Sequence, residues 1–369
     1  MTTGVIAPSS TIRAGFIGGG FMADVHSRAA RAARARLSGG TSSTPDRARE
    51  AAERLGLAEA HDTVEALLAD PQIDVVHVCT PNSTHAGLAR AVIEAGKHVI
   101  CEKPLATSGE DAADLAALAA DRGVVAAVPF VYRFHPMARE ARARVARGDA
   151  GRLVGVHGVY LQDWLAGQQD DDWRVDAAVG GPSRAFADIG SHLVDLVEFV
   201  TGDRIARLTA TTRTVYDRRG SHDRVVTEDL AAVAVELVGG AIGTLLVSQV
   251  AAGHKNGLTV EVSGTEASIR FEQERPERLW IGGVDASELV ERDATRLSAD
   301  AARLAIVPSG HPMGYQDAFN AFVADVYAAI ATGSPPEGLP DFADGLRAVR
   351  LTEAVLRSAA SRDWVEVTA

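Results

Sequence analysis

The sequence predicts an α/β protein in two parts, an N-terminal doubly wound parallel sheet followed by an α/β domain with a large open, mostly antiparallel sheet. Three observations carry this reading. Up to about residue 130, short apolar runs alternate with Ala-, Leu- and Arg-rich segments of helical period, the pattern of successive βαβ units. A glycine-rich turn joins the first of these runs to the first helical segment. From about residue 151 the runs lengthen and become strand-like. The expected division is therefore 1–130 for a dinucleotide-binding Rossmann domain and 131–369 for a substrate-binding and oligomerisation domain. A chain of 369 residues with 46% hydrophobic content is long enough for two cores.

In chain order, the predicted strands of the first part are "IRAGFIG", "RLSGGTSS", "DVVHVCT", "HVICEK" and "VVAAVPF", with helices such as "TPDRAREAAERLG" and "GEDAADLAALAADRG" between them. In the second part the strands are "RLVGVHGVYLQDWL", "RLTATTRTVY", "EDLAAVAVELVGGAIGTLLVSQVA" and "LTVEVSGTEASIRFEQ". Within the third of these, "VGGA" at 238–241 signals a hairpin. The helical "DAFNAFVADVYAAIATG" near the end is expected to belong to this second domain.

Composition limits the partners. The formal net charge of −12, with Arg scattered among Glu and Asp, excludes nucleic acid, whose phosphates need clustered Lys and Arg. The two cysteines, Cys79 and Cys101, sit singly in apolar runs and read as reduced core thiols. "MTTGVIAPSSTIRAG" lacks a charged region followed by an apolar one, and no apolar run reaches ~18 residues. No membrane contact and a cytoplasmic location are expected. No metal ligands are assigned.

Gly18, Gly20 and Ala23 form G-x-G-x-x-A directly after the first strand. Gly18 permits the tight turn, Gly20 lets a pyrophosphate approach the backbone, and Ala23 lets helix and strand pack closely. Phe21 and Met22 open the helix within the same motif, whose free N–H groups suit phosphate. Two further strand ends add Thr80, Pro81, Asn82 and His85, then Glu102 and Lys103. Ligands of such sheets bind beyond the strands' carboxyl ends. Asn82 also fits a helix N-cap, and His85 a first-turn helix residue. Lys103, between an apolar strand and a proline, is placed to respond as a proton donor or acceptor.

Together "GFIGGGFMADVH", "CTPNSTH", "CEKPLA" and "ADIGSHLVDLVEF" resemble the glucose-fructose oxidoreductase, inositol dehydrogenase and MocA (Gfo/Idh/MocA) family, in order and over essentially the whole chain. The resemblance implies hydride transfer between NAD or NADP and a hydroxyl or carbonyl carbon of a sugar or cyclitol. "YLQDWL", "DDWRVD" and "PSGHPMGY" look most like the subgroup containing levoglucosan dehydrogenase and related glycoside dehydrogenases. By this resemblance the catalytic set is Lys103, Asp188 and His192. His192 is the general base, its type titrating near neutrality. Lys103 donates to the reacting oxygen, and Asp188 orients the substrate or the other two. Which of Lys103 and His192 is the base stays open, because the two can titrate together.

The chemistry agrees. Oxidising a secondary alcohol needs a base for the hydroxyl proton and a donor for the developing alkoxide. Asp188 and His192, four apart, share a face if "DIGSH" is helical. The run before Asp188 reads "GGPSRAFAD", where the family often has a glycine-rich run, so Arg184 is either exposed or alters the pocket. For a small polyhydroxylated substrate the candidates are Tyr132, Arg133, Asp163 and Trp164, since aromatic faces with charged neighbours suit a ring bearing hydroxyls. Resemblance adds Trp173, Arg174, His311 and Tyr315.

Strand two ends in Ser42, Ser43 and Thr44 with no acid until Asp46, so nothing repels a 2′-phosphate. With Arg47 nearby, NAD and NADP both remain open. The apolar residues of "LAAVAVELV" and "IGTLLVSQVA" exceed what a wet sheet face needs, predicting a homodimer or homotetramer. Two other readings compete: a non-catalytic cofactor-binding sensor, and a reductase of a non-sugar substrate such as a dihydrodiol or tetrapyrrole.

Overall fold

The alternation of apolar strands and amphipathic helices produces a six-stranded parallel sheet in the computed structural model, which describes residues 11–368. The expectation drawn from the first ten residues lies outside the described part. The strands are β1 (Arg13–Ile17), β2 (Arg36–Thr41), β3 (Glu59–Ala60), β4 (Val75–Val78), β5 (His98–Cys101) and β6 (Ala126–Ala127), in the order β3-β2-β1-β4-β5-β6. This reversal beside β1 is the doubly wound arrangement. The connecting helices are α1 (Phe21–Ala32), α2 (Pro45–Leu55), α3 (Val64–Ala69), α4 (His85–Glu94) and α5 (Gly109–Arg122). Thr44 and Ser108 cap α2 and α5 by accepting from backbone amides three residues on, as short hydroxyl side chains do at helix starts. Cys79 and Cys101 are buried free thiols.

The second sheet has nine strands: β7 (Leu153–Leu161), β8 (Ile205–Arg213), β9 (Leu230–Leu237), β10 (Ile242–Ser248), β11 (Gly257–Gly264), β12 (Ser268–Glu272), β13 (Arg278–Gly282), β14 (Ser287–Glu291) and β15 (Val365–Glu366). Their order is β14-β13-β12-β11-β7-β10-β9-β8-β15, antiparallel throughout except for the parallel β7–β10 pair. The β9–β10 hairpin turns at 238–241, as the sequence predicted. Helices α6 (Pro136–Arg147) and α8 (Ser191–Thr201) lie on one face of the sheet. Two short helices, α7 (Ala177–Gly180) and α9 (Ala299–Leu304), complete this part. Strand alternation sends Val233 and Val235 inward, while Ala232, Ala234 and Glu236 pair with Leu246, Thr244 and Ile242 on the other face. That face is thus a mixture of small, polar and apolar groups, less apolar than the raw run suggests. Ile242 is nevertheless well exposed.

The division of the chain differs from a single cut at 130. One compact unit ends at Val131 but takes in Tyr315–Leu346, and the other runs Tyr132–Gly314 and resumes at Arg347. The helix α10 (Tyr315–Thr332), assigned by sequence to the second domain, packs on α1 of the first unit. Its Phe319 meets the ring of His26, and Gln316 donates to the Val25 carbonyl at 3.1 Å. Its apolar period could not show which core it joins. The last helix is α11 (Phe342–Ser361).

Candidate active site

In the first unit, β1 passes into α1 through Gly18, Gly19 and Gly20. Gly18 has φ of +103°, and a Cβ there would stand 2.4 Å from the Cys79 carbonyl oxygen, so only glycine fits. Gly20 differs: a Cβ on it would meet no protein atom within 4 Å, and it caps α1 without a side-chain acceptor. No packing inside the chain needs glycine there, whereas a diphosphate lying on the backbone would. Ala23 is fully buried in a cluster with Ala51, Leu55 and Cys79, Met22 packs against that cluster, and Phe21 is exposed. This open helix start and its amide donors fit a dinucleotide pyrophosphate.

Ser42 lies beside the turn, its Oγ 3.8 Å from where a Gly19 Cβ would stand. Ser43 accepts from Arg47 Nη1 at 3.1 Å, and both are exposed. Asp46 is engaged by Arg49. Thr80 and Pro81 follow β4, and Asn82 is buried in the turn Asn82–Thr84.

Two of the cofactor candidates have their side chains engaged within the protein. His85 is fully buried, with Nδ1 2.7 Å from the Pro104 carbonyl and Nε2 2.8 Å from that of Thr80, so it ties two loops together and presents no ring atom to a ligand. Glu102 is buried with Oε1 on His26 Nε2 at 2.9 Å and Oε2 accepting from the Lys103 amide at 3.2 Å. Lys103 itself is half-buried, ahead of a cis bond to Pro104.

In the second unit, Asp188 and His192 stand on one continuous helical path, but its first turn, Phe186–Gly190, is a π turn before α8 begins. Glu228 holds its start by accepting from Ser183 Oγ at 2.6 Å and from the amide of Phe186 at 2.9 Å; burial pushes this carboxyl up. Arg184 is not exposed: it is buried and paired with Asp229, which Arg219 also binds at 2.7 Å. Asp188 accepts from Gln249 Nε2 at 2.8 Å and lies 3.3 Å from Arg174 Nε. The His192 ring meets Tyr132 edge-on, with centroids 5.0 Å apart.

From Tyr132 a polar array extends. Its hydroxyl is 2.5 Å from that of Tyr160 and accepts from Asn256 Nδ2 at 3.1 Å. Asn256 Oδ1 accepts from Tyr160 at 2.7 Å and from Gln162 Nε2 at 2.8 Å, and Gln162 Oε1 accepts from Trp164 Nε1 at 2.7 Å. The Arg174 guanidinium stacks over Trp173 at 4.3 Å and nears Trp164 at 5.9 Å. Tyr132, Asp188, His192, Trp164, Trp173 and Arg174 are thus joined by one web of contacts within this unit.

Arg133 and Asp163 are not in that web. Arg133 is buried, its Nε donating to Asp195 of α8 at 2.8 Å, because a buried cation needs a partner. Asp163 is claimed by Lys255 Nζ at 2.6 Å and the Gly253 amide at 3.0 Å, which hold its carboxyl below the usual range. His311 is an exposed residue of the second unit, its carbonyl accepting from Arg292, and Tyr315 starts α10 in the first unit against Phe319. Sequence reasoning missed Tyr160, Gln162, Gln249 and Asn256. The signal available was polar residues at inward positions or ends of apolar strands, as in "VYLQ" and "VSQV". Although no metal was assigned, among the described residues Glu59, His61 and Asp70 bring possible ligand atoms within 4.8 Å of one another beside β3.

Residues 12–130 match the family described as "Oxidoreductase family, NAD-binding Rossmann fold", and residues 138–270 match the "GFO/IDH/MocA C-terminal domain". Levoglucosan dehydrogenase of Pseudarthrobacter phenanthrenivorans is 30% identical over 96% of this chain and 98% of its own length. Inositol 2-dehydrogenase of Rhizobium meliloti is 27% identical over 97% of this chain and 99% of its own. A solved levoglucosan dehydrogenase in complex with NADH and levoglucosan superposes with a TM-score of 0.92 at 31% identity, covering 98% of this chain and 100% of that one.

Proposed function

Because this chain belongs to the Gfo/Idh/MocA oxidoreductases, we propose that it is an NAD(P)-dependent dehydrogenase acting on a secondary hydroxyl of a sugar, glycoside or cyclitol. The observation that carries this reading is the array around Asp188 and His192, where a buried carboxylate, an imidazole, four aromatic rings and a stacked guanidinium are joined by hydrogen bonds and ring contacts within one unit. Such groups match the alternating apolar C–H faces and hydroxyls of a pyranose or cyclitol. Names of the relatives, levoglucosan and inositol dehydrogenases among them, support the same substrate class.

When bound, the nicotinamide supplies the two-electron hydride acceptor. Gly18, Gly20 and the start of α1 would hold its pyrophosphate through backbone amides. His192 would take the substrate's hydroxyl proton, and Lys103 would donate to the oxygen as it gains negative charge. Asp188, fixed by Gln249 and Arg174, orients the substrate's hydroxyls. At the adenosine ribose, Ser42 and Ser43 are uncharged and Arg47 is adjacent, so we expect weak discrimination between NAD and NADP.

The two buried free thiols fit a reducing cytoplasm. A second copy of the chain is the occupant we assign to the open face of the nine-stranded sheet around Ile242 and Leu246. The deciding experiment supplies levoglucosan, myo-inositol and D-xylose with NAD or NADP and follows reduced-cofactor absorbance. Turnover of any of these supports the reading. Cofactor binding without turnover on a wide panel indicates a sensor, and turnover of a dihydrodiol alone indicates the non-sugar reductase.

A further inference from the structure

Behind Lys103, within the first unit, runs a chain of four buried side chains that the chemistry above leaves unused. Glu102 Oε1 meets His26 Nε2 at 2.9 Å, His26 Nδ1 meets His77 Nδ1 at 2.9 Å, and His77 Nε2 meets the Tyr327 hydroxyl at 2.8 Å. The four come from α1, β4, the end of β5 and α10, and both imidazoles are fully buried. His77 is also stacked on Phe16 at 4.8 Å.

With both imidazoles neutral, donor arithmetic gives this chain one direction. Burial pushes the Tyr327 hydroxyl up, so it keeps its proton and donates to His77 Nε2. A neutral imidazole has one donor nitrogen. His77 therefore donates from Nδ1 to His26 Nδ1, and His26 from Nε2 to Glu102, which closes the chain as an anion. The reverse direction would need a protonated Glu102 and would leave the buried Tyr327 proton without an acceptor in the chain. Burial pushes Glu102 up, but the bond from His26 and the nearby Lys103 outweigh it and leave its carboxyl below the ordinary range. Burial keeps His77 neutral. Around Glu102 the other titratable groups are Lys103, His85, Cys79 and Cys101.

We propose that His26, His77 and Tyr327 are positioning residues for the reaction: they hold Glu102 as an anion in one orientation, and its second oxygen fixes the backbone amide from which Lys103 extends. This rests on the reading of Lys103 as the donor to the reacting oxygen. Position matters because small misplacements of a catalytic group cost rate out of proportion to their size.

The test uses the NAD-bound enzyme with the best substrate among levoglucosan, myo-inositol and D-xylose. His26→Leu removes the donor to Glu102, and kcat should fall on the order of 10- to 100-fold while KM and the NADH dissociation constant stay within about twofold. It should also gain an acid limb in its kcat–pH profile, as the unsupported buried carboxyl takes up a proton. His26→Gln, which restores an N–H donor, should recover much of kcat and lose that limb. His77→Phe and Tyr327→Phe should give progressively smaller losses. Independently of turnover, histidine-selective ¹⁵N NMR of the wild type should show His26 as the Nε2–H and His77 as the Nδ1–H tautomer. An imidazolium or the opposite tautomer at His26 overturns the proposal. So does a folded His26→Leu with wild-type kcat and pH profile while Lys103→Met is inactive. A fully active Lys103→Met with the expected tautomers instead removes the reading of Lys103. Should His26→Leu not fold, the tautomers and Tyr327→Phe decide.

Discussion

Acid should unfold this protein through its buried neutral histidines, and His135 allows the effect to be worked out. It precedes α6, is 1% exposed, stacks parallel to Tyr132 at 6.0 Å and touches Phe271 at 5.6 Å, and its Nε2 has no hydrogen-bond partner. Burial pushes its imidazole down from 6.5 to about 4. The unfolded chain therefore binds the proton first. Stability from the neutral ring is complete above about pH 6.5 and is lost as pH falls toward about 4. At ~1.4 kcal/mol per pH unit, the loss reaches about 2 kcal/mol at pH 5 and only a few tenths at pH 7. His135→Phe keeps an aromatic ring between Tyr132 and Phe271 and cannot titrate. Urea unfolding at both pH values should show a wild-type loss of at least about 2 kcal/mol, because burial also lowers His77, His85 and His98. The variant should lose about 2 kcal/mol less. In thermal midpoint the difference amounts to about 4–8 °C for a unit of this size. Equal pH dependence in the two proteins would refute the argument.

Lys103→Met should lower kcat by ~10² to 10³ while cofactor still binds, measured by steady-state rates and NADH fluorescence titration; near-normal turnover would end its assignment as oxyanion donor. Ser42→Asp should weaken NADP selectively, and an unchanged ratio of the two cofactors' dissociation constants would place Ser42 away from the adenosine ribose. Arg133→Met strands the buried Asp195 carboxylate and should cost about 3–5 kcal/mol in denaturant unfolding with KM little changed, whereas raised KM at full stability would return Arg133 to the substrate. Light scattering at micromolar concentration should give the mass of a dimer or tetramer, and a monomeric mass would contradict self-association of the sheet face.

Local features were legible because they are written in adjacent residues. The turn at Gly18 needs positive φ and a backbone approach that only glycine allows, and the hairpin at 238–241 is set by its own residues. Asp188 and His192 came close enough in sequence to be read as a pair. What escaped was long-range. Gln249 reaches Asp188 across 61 positions, and Asn256 joins Tyr132 across 124. Asp163 and Gln162 are neighbours, yet the chain turns one to Lys255 and the other to Asn256, a choice made by loop geometry. Arg184 looked like a pocket or surface residue because its partner, Asp229, is 45 positions away.

The return of α10 to the first unit bears on how the protein is made. Its N-terminal sheet is complete in sequence by Ala127, yet Phe319, Gln316 and Tyr327, which close over His26, Val25 and His77, come almost two hundred residues later. At about 5–20 residues per second the ribosome needs on the order of 10–40 s to deliver them. Through that interval the nascent sheet carries two imidazoles and an apolar α1 surface awaiting a cover. For the same reason a gene fragment ending near residue 131 encodes a nucleotide-binding half with its core still open.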